Sequence, residues 1–289
     1  MTLLRHDFLR SPVAVASATT LIAAALFAIL GPALFGDVAG KVNLRARNAP
    51  PFDLHSGWLN ILGADALGRS IVARIAVAAR NTIGIAAAAV VASLVVGGGI
   101  GVLVGLSNGR MAGFIMRCVD IVMSFPSLLL ALVVLYVLSP SPWNVVLVLA
   151  ITRMPIYVRT ARAEVLEIRE RAFIAAARVM GGGTRHIAMH HVVPLVLPTL
   201  LIVAGLEFAL VVLAESALSF LGMGIQPPDM TWGLMVSDGR SYIATAWWVS
   251  FWPGLTIVLV ALSANLLANW FRGASDPTLR KPRKVGADA

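Results

Sequence analysis

Three stretches of this sequence run without a single charged residue for longer than any soluble helix would: Ser11 to Gly36, Asn81 to Gly109 and Ser241 to Phe271. A helix crossing roughly 30 Å of hydrocarbon needs about 20 largely apolar residues, whereas a helix at a water-facing surface keeps one polar side. These runs therefore read as membrane spans. Composition agrees, with 58% hydrophobic and 13% charged residues and a mean hydropathy of +0.86, against about 45–50% apolar and 25% charged in soluble domains. A single soluble enzyme domain is excluded.

Further spans follow from the same scan. The stretch between Asp120 and Arg153 is too long for one span and is cut by Ser139-Pro140-Ser141-Pro142, a turn-forming cluster. Another run, Leu195 to Leu221, is interrupted only by Glu207 and Glu215. The sequence thus predicts an all-α membrane protein with six transmembrane helices, at about 13–35, 82–106, 114–138, 143–160, 195–220 and 247–271. Arg153, Pro155 and Arg159 occupy the second half of the fourth, so that helix either emerges early or buries its end against protein. The first run exceeds the roughly 7–15 residues of a signal-peptide core and ends at a Gly31-Pro32 bend with no small-x-small cleavage site, so it reads as a retained span.

Charge sets the orientation. Lys and Arg number 23 against 14 Asp and Glu, a net of +9, and in so apolar a chain this excess marks a membrane face and not nucleic acid. Sixteen of the cations lie before the first span, between the second and third, from Arg153 to Arg185, or after the sixth, which predicts both termini cytoplasmic. The other side holds Lys41, Arg45, Arg47, Arg69, Arg74, Arg80 and Arg240. There, Ile71, Ile75 and Ala78 with Arg74 and Arg80 are expected to form a short amphipathic helix on the outer surface. Three parts result: residues 1–80, an N-terminal segment with the first span and an outer loop; 81–272, the main transmembrane domain; and 273–289, a cytoplasmic tail. Cys118, the lone cysteine, excludes an intrachain disulfide and a cysteine-built zinc site.

The inner segment 161–194 differs from the rest. It opens as a charged helix in which Glu167 and Arg171 are spaced to pair at i,i+4, and continues through Ala172 to Met180 in strong helix formers. Gly181-Gly182-Gly183 then permits a left-handed cap and a sharp reversal, after which Thr184 is expected to cap a second helix running to Pro194. Helix connections in bundles usually take about 2–8 residues, so this segment reads as a projecting knob. Its pattern, Ala175-Ala-Ala-Arg-Val-Met-Gly181 followed ten residues later by His191-Val-Val-Pro194, resembles the glutamate-alanine-alanine signature of binding-protein-dependent ABC importer permeases. Leu62-Gly-Ala-Asp-Ala-Leu-Gly-Arg69, Val119-Asp-Ile-Val-Met-Ser-Phe-Pro126, Tyr157-Val-Arg159, Ala214-Glu-Ser-Ala-Leu-Ser-Phe-Leu-Gly222 and Asp276-Pro-Thr-Leu-Arg280 look like blocks of the second permease subunit of dipeptide, oligopeptide and nickel importers.

That resemblance implies a coupling-helix loop at 161–194, docking on the cytoplasmic ATPase through Ala175, Ala176, Ala177, Arg178, Gly181, Gly182, His191 and Pro194. It also implies a homologous second permease, two cytoplasmic ATPase subunits and an extracytoplasmic substrate-binding protein as partners, in a bacterial inner membrane. ATP and magnesium would be used by the ATPases, with no cofactor on this chain, and the cargo would be short peptides, with nickel, glutathione or another small solute as alternatives. One departure is that Ala175 replaces the signature's leading Glu, which removes an expected polar contact.

Charges within spans are costly and usually face a partner or a wet path. Glu207, Glu215 and Asp120 are the candidate pathway residues; each can equally be a hydrogen-bonded group at a helix contact, and Asp120 stands near Arg117 as a structural pair. Glycines 97, 98, 99, 101 and 105 give small-xxx-small spacings suited to close packing against a second permease or to gating flexibility. Trp247, Trp248 and Trp252 read as an aromatic belt. The loop Gly222–Ala246 either folds back toward a pathway mouth, receives a delivery protein, or is a plain surface loop. No phosphate loop or nucleophile elbow is present, and His186 and His190 lack a third metal ligand, so neither a catalytic residue nor a metal site is assigned. A stand-alone secondary transporter would show internal repeats, which are not visible here, and an intramembrane enzyme built on Glu207 or Asp120 would act alone.

Overall fold

The computed structural model describes residues 8, 11–52, 58–107, 109–139 and 141–275. Arg5, Arg10, Pro140 and the motif 276–280 lie outside the described residues. Helix α1 spans Pro12–Gly40, α2 Ile71–Leu106, α3 Arg110–Ser124, α4 Ser127–Leu138 and α5 Pro142–Ile168. They are followed by α6 at Ala172–Val179, α7 at Thr184–Phe220, α8 at Trp232–Gly239 and α9 at Trp248–Ser275. Among the described residues the only β pairing is an isolated bridge between Ala64 and Ser70. The starts follow from sequence. At α1 and α5 a Ser-Pro pair places the Ser11 or Ser141 hydroxyl to accept from the third backbone N–H, while Pro12 or Pro142 fills a position whose own N–H has no helical partner.

Five helices, α1, α2, α5, α7 and α9, are long and apolar enough to cross a membrane, and α3 with α4 makes up the sixth only as a pair bent by 92°. The continuous third span expected at 114–138 is corrected accordingly. Phe125 is held extended (φ −94°, ψ 141°) ahead of Pro126, whose ring excludes the helical conformation from its predecessor and supplies no N–H.

Helix α2, about 54 Å long at 1.5 Å per residue, outruns the hydrocarbon core and forms the centre of the bundle. The amphipathic surface helix expected at 71–80 is instead its first turns: Ile71 and Ala78 have no exposed surface and Arg74 is 3% exposed. Nothing between Ser70 and Ser107 breaks the helix, so the outer segment and the span form one rod. Its inner half packs most closely on α5. A Cβ at Gly97 would lie 2.8 Å from the Met154 carbonyl, and one at Gly101 2.6 Å from both the Val158 carbonyl and Ala161. At Gly105 it would meet Val165 at 2.6 Å. These three glycines therefore pack within this chain and not against a second permease, the first of the two roles expected of the run; Gly99 alone of the run faces open space.

The second half of the fourth span is buried against protein, the second of the two outcomes expected for it. Pro155, Tyr157 and Val158 are buried where α5 crosses α2. Pro194, expected to end the helix after the knob, is absorbed. A π turn at Ala188–Val192 widens the helix just before it, and α7 continues to Phe220. Widening relieves the clash between a proline ring and the preceding turn. The Trp belt is also corrected: Trp247 is exposed, but Trp248 is buried and donates its indole N–H to the Ala64 carbonyl at 3.2 Å.

Candidate functional site

The knob has its own small core. Ile174, Ala177 and Ile187 are buried with Val165 and Ile168, so α6 lies against the inner ends of α5 and α7. The apex carries Val179 and Met180, 89% and 82% exposed. Helix α6 closes with paired reverse bonds: Gly181 N–H donates to Arg178 O at 3.0 Å and Gly182 N–H to Ala177 O at 2.9 Å. Gly181 takes φ +86°, a conformation open to glycine at little cost. Of the expected docking residues, Ala175, Ala176, Arg178, Gly181 and Pro194 are exposed; Ala177 turns inward, and Gly182 and His191 are half-buried. The expected Glu167–Arg171 pair forms at 2.8 Å. Thr184 does not cap; it is the first helical residue, preceded by Gly183, which has no side chain to accept. Arg169 ties the knob to α2 by donating to Gly105 O at 3.3 Å. The His186 and His190 rings stack with centroids 4.3 Å apart, and among the described residues no three of His, Cys, Asp and Glu are placed to hold a metal.

Charged groups recur along the face shared by α3, α5 and α7. Glu207 lies 3.7 Å from Arg153 on α5, and Asp120 on α3 pairs with Arg159 on α5. The expected Asp120–Arg117 pair is thus replaced by one between helices. Arg159 and Asp120 are 45% and 55% exposed, while Glu207 is only 12% exposed.

Glu215 belongs elsewhere. It has no exposed surface, accepts from Ser219 Oγ at 2.7 Å, and is faced by the Ser216, Thr231 and Thr82 hydroxyls. Thr82 in turn accepts the Trp232 N–H at 3.1 Å, and Trp232 donates its indole N–H to Ile75 O at 2.9 Å. The carboxyl group therefore pins loop 222–246 back onto α2. Glu215→Ala would strand several buried hydroxyls and leave a void, at a cost of about 2–4 kcal/mol. Thermal unfolding of the purified protein should rank Ala below Gln and Gln near wild type.

Beside this clamp, sequence reading missed a charged junction. Asp65 accepts from the Leu67 and Arg69 N–H groups at 2.9 Å, from Arg69 Nε at 2.7 Å and from a buried Arg74 at 2.6 Å. Arg74 also reaches Asp238 on α8 at 3.2 Å. The tight block Leu62–Arg69, with positive φ at Gly63 and Gly68, was the available signal.

The described residues thus form a multi-span helical bundle with a glycine-capped inner knob. The chain belongs to the family of binding-protein-dependent transport system inner membrane components, which it matches over residues 97–281. It is 40% identical over 232 residues to the di/tripeptide transport system permease protein of Pseudomonas aeruginosa, covering 80% of this chain and 77% of that one. It is 34% identical over 267 residues to the probable D,D-dipeptide transport system permease protein of Escherichia coli, covering 92% and 88%. With the dipeptide transport system permease protein of the same organism it shares 37% over 234 residues, covering 81% and 78%. It is a multi-pass protein of the cytoplasmic membrane.

Proposed function

We propose that this chain forms, with a homologous second permease, the pathway by which short peptides are imported at the expense of ATP. Two cytoplasmic ATPase subunits dock on loop 161–194 and use ATP and magnesium, while this chain binds neither; an extracytoplasmic binding protein delivers the cargo. Glu207 and Asp120 line the pathway, and Glu215 acts from behind it by holding the outer loop. The observation that carries this reading is mechanical. The second arm of the knob is the first turns of α7, a 37-residue helix that also bears Glu207 and Glu215. Nucleotide-driven motion of a docked ATPase would reach the pathway and the outer loop along one rod. The relatives' names support the peptide cargo.

Gly181→Val tests it. A Cβ at this position would meet nothing, so the substitution strains the φ +86° backbone without crowding the core. In the reconstituted complex, ATP-driven dipeptide uptake is expected to fall at least tenfold while the subunit's melting temperature changes little; Gly181→Asn, which tolerates this conformation, should retain most uptake. Full uptake by Gly181→Val, or uptake without any ATPase subunit, would sink the reading.

A further inference from the structure

Unfilled hydrogen-bonding capacity concentrates at one point of the membrane interior. Among the described residues, eight buried side-chain polar atoms lack a hydrogen-bond partner, and three of them, Arg153 Nε, Tyr157 OH and Glu207 Oε2, belong to one group between α5 and α7. Arg153 and Tyr157 are four residues apart and share a helix face. Tyr157 lies within electrostatic reach of both Arg153 and Glu207. The Arg153–Glu207 contact, at 3.7 Å, is longer than the roughly 2.7–2.9 Å of a charge-assisted hydrogen bond. An ion pair held so loosely away from water is a net cost unless something else completes its bonds.

Its placement is equally specific. The bundle's apolar interior divides into an outer cluster, which includes Leu149 and Val211, and an inner cluster, which includes Tyr157 and Leu200. Arg153 falls between Leu149 and Tyr157 along α5, and Glu207 between Leu200 and Val211 along α7. The charged pair therefore lies between two apolar clusters that both border Ala204. Arg153 is the member at the surface, its side chain 20% exposed, with Glu207 behind it at 12%. A guanidinium at this depth faces lipid only at high cost, so this face borders protein or a wet path.

We propose that Arg153, Tyr157 and Glu207 form the station at which this chain holds the charged backbone of a short peptide in transit. The cargo's carboxylate takes the Arg153 guanidinium, its ammonium takes the Glu207 carboxylate, and the Tyr157 hydroxyl, which has no exposed surface here, donates to a remaining oxygen once the cargo parts the helices. A peptide with uncharged side chains offers these two termini and little else, and the station presents one group of each opposite sign. Exchanging a loose pair for two charge-assisted bonds supplies the partners that the three atoms lack. Recognition of termini also leaves the side chains unread, as a carrier of many sequences requires. This inference rests on the permease reading above.

The test is dialanine uptake by the complete transporter, with its second permease, ATPases and binding protein, in proteoliposomes. Arg153→Met and Glu207→Gln are each expected to lower ATP-driven uptake at least tenfold, with ATP hydrolysis stimulated by the loaded binding protein within twofold of wild type. The combined Arg153→Met/Glu207→Gln variant separates the roles. A merely structural pair is relieved when both charges are removed, so uptake restored to wild-type level would overturn the proposal, whereas uptake still at least tenfold down supports it. Should that variant fail to assemble, Tyr157→Phe carries the test, because it deletes one hydroxyl and no packing. Uptake at least threefold lower supports the proposal and unchanged uptake overturns it. If the wild-type complex shows no ATP-dependent dialanine uptake, the permease reading itself fails.

Discussion

Gly101→Val is expected to prevent accumulation of a stably folded subunit. At this position even a methyl carbon would stand 2.6 Å from the Val158 carbonyl and from Ala161, and the carbonyl is fixed by the α5 backbone. Relief requires the two helices to separate. Separation would also loosen Gly97 and Gly105, which touch α5 four residues to either side. Overpacking of a core costs about 1–3 kcal/mol where flexible side chains can yield. Here a backbone must move along a contact that joins α2 to the fourth span, so the loss lies at or above the top of that range, against a total stability of about 5–15 kcal/mol. Gly99→Val is the control, since a Cβ there meets nothing and the helix composition is otherwise the same. Detergent-solubilised Gly99→Val should elute and melt like wild type, while Gly101→Val should yield little monodisperse protein. Equal behaviour of the two would refute the assignment of this glycine face to α5.

Arg74→Met is the second large effect. The Arg74 and Asp65 side chains are each 4% exposed, and Arg74 also holds Asp238. Removing the guanidinium leaves a buried carboxylate with its backbone donors and Arg69 alone, and breaking one side of a buried pair costs about 3–5 kcal/mol. The lower end is expected because Arg69 Nε still donates at 2.7 Å. The effect should be local first. Helix α8 loses its tie to α2, and limited proteolysis should cut loop 222–246 faster than in wild type. Asp238→Asn should do much less, because Asp238 is 42% exposed and such partly solvated pairs contribute about 0–1 kcal/mol. If Asp238→Asn matched Arg74→Met, the loss would belong to the Asp238 contact and not to the burial of Asp65.

Much of this architecture was legible in the residues. Uncharged length located the spans, because hydrocarbon depth acts on composition alone. Three glycines after a run of small helix formers located the knob, because a residue free to take positive φ permits the reversal seen at Gly181. What could not be read was direction. The glycine stripe of α2 says that something approaches closely, but not whether that something is α5 or another chain. Arg74 counted as one more outer cation, and only the fold brings Asp65 and Asp238, 9 and 164 residues distant, to the same guanidinium. Likewise Glu207 and Glu215 carry the same sequence signal, an acid in an apolar run. Hydroxyls from three elements enclose Glu215, whereas only a loose Arg153 meets Glu207. Pro126 and Pro194 carried the same warning with opposite outcomes: one bends a span by 92°, the other is accommodated by a π turn.

The π turn at Ala188–Val192 also fixes a phase. It holds one residue more than an α-helical register would, and each residue of α-helix corresponds to about 100° of rotation about the axis. The azimuth at which the knob meets its partner, relative to the direction in which Glu207 points higher on the same helix, is thus set by a residue count. Deleting Ala188 from this turn would leave every apolar span and the expected docking residues intact in composition, yet aim the two ends of α7 at different neighbours.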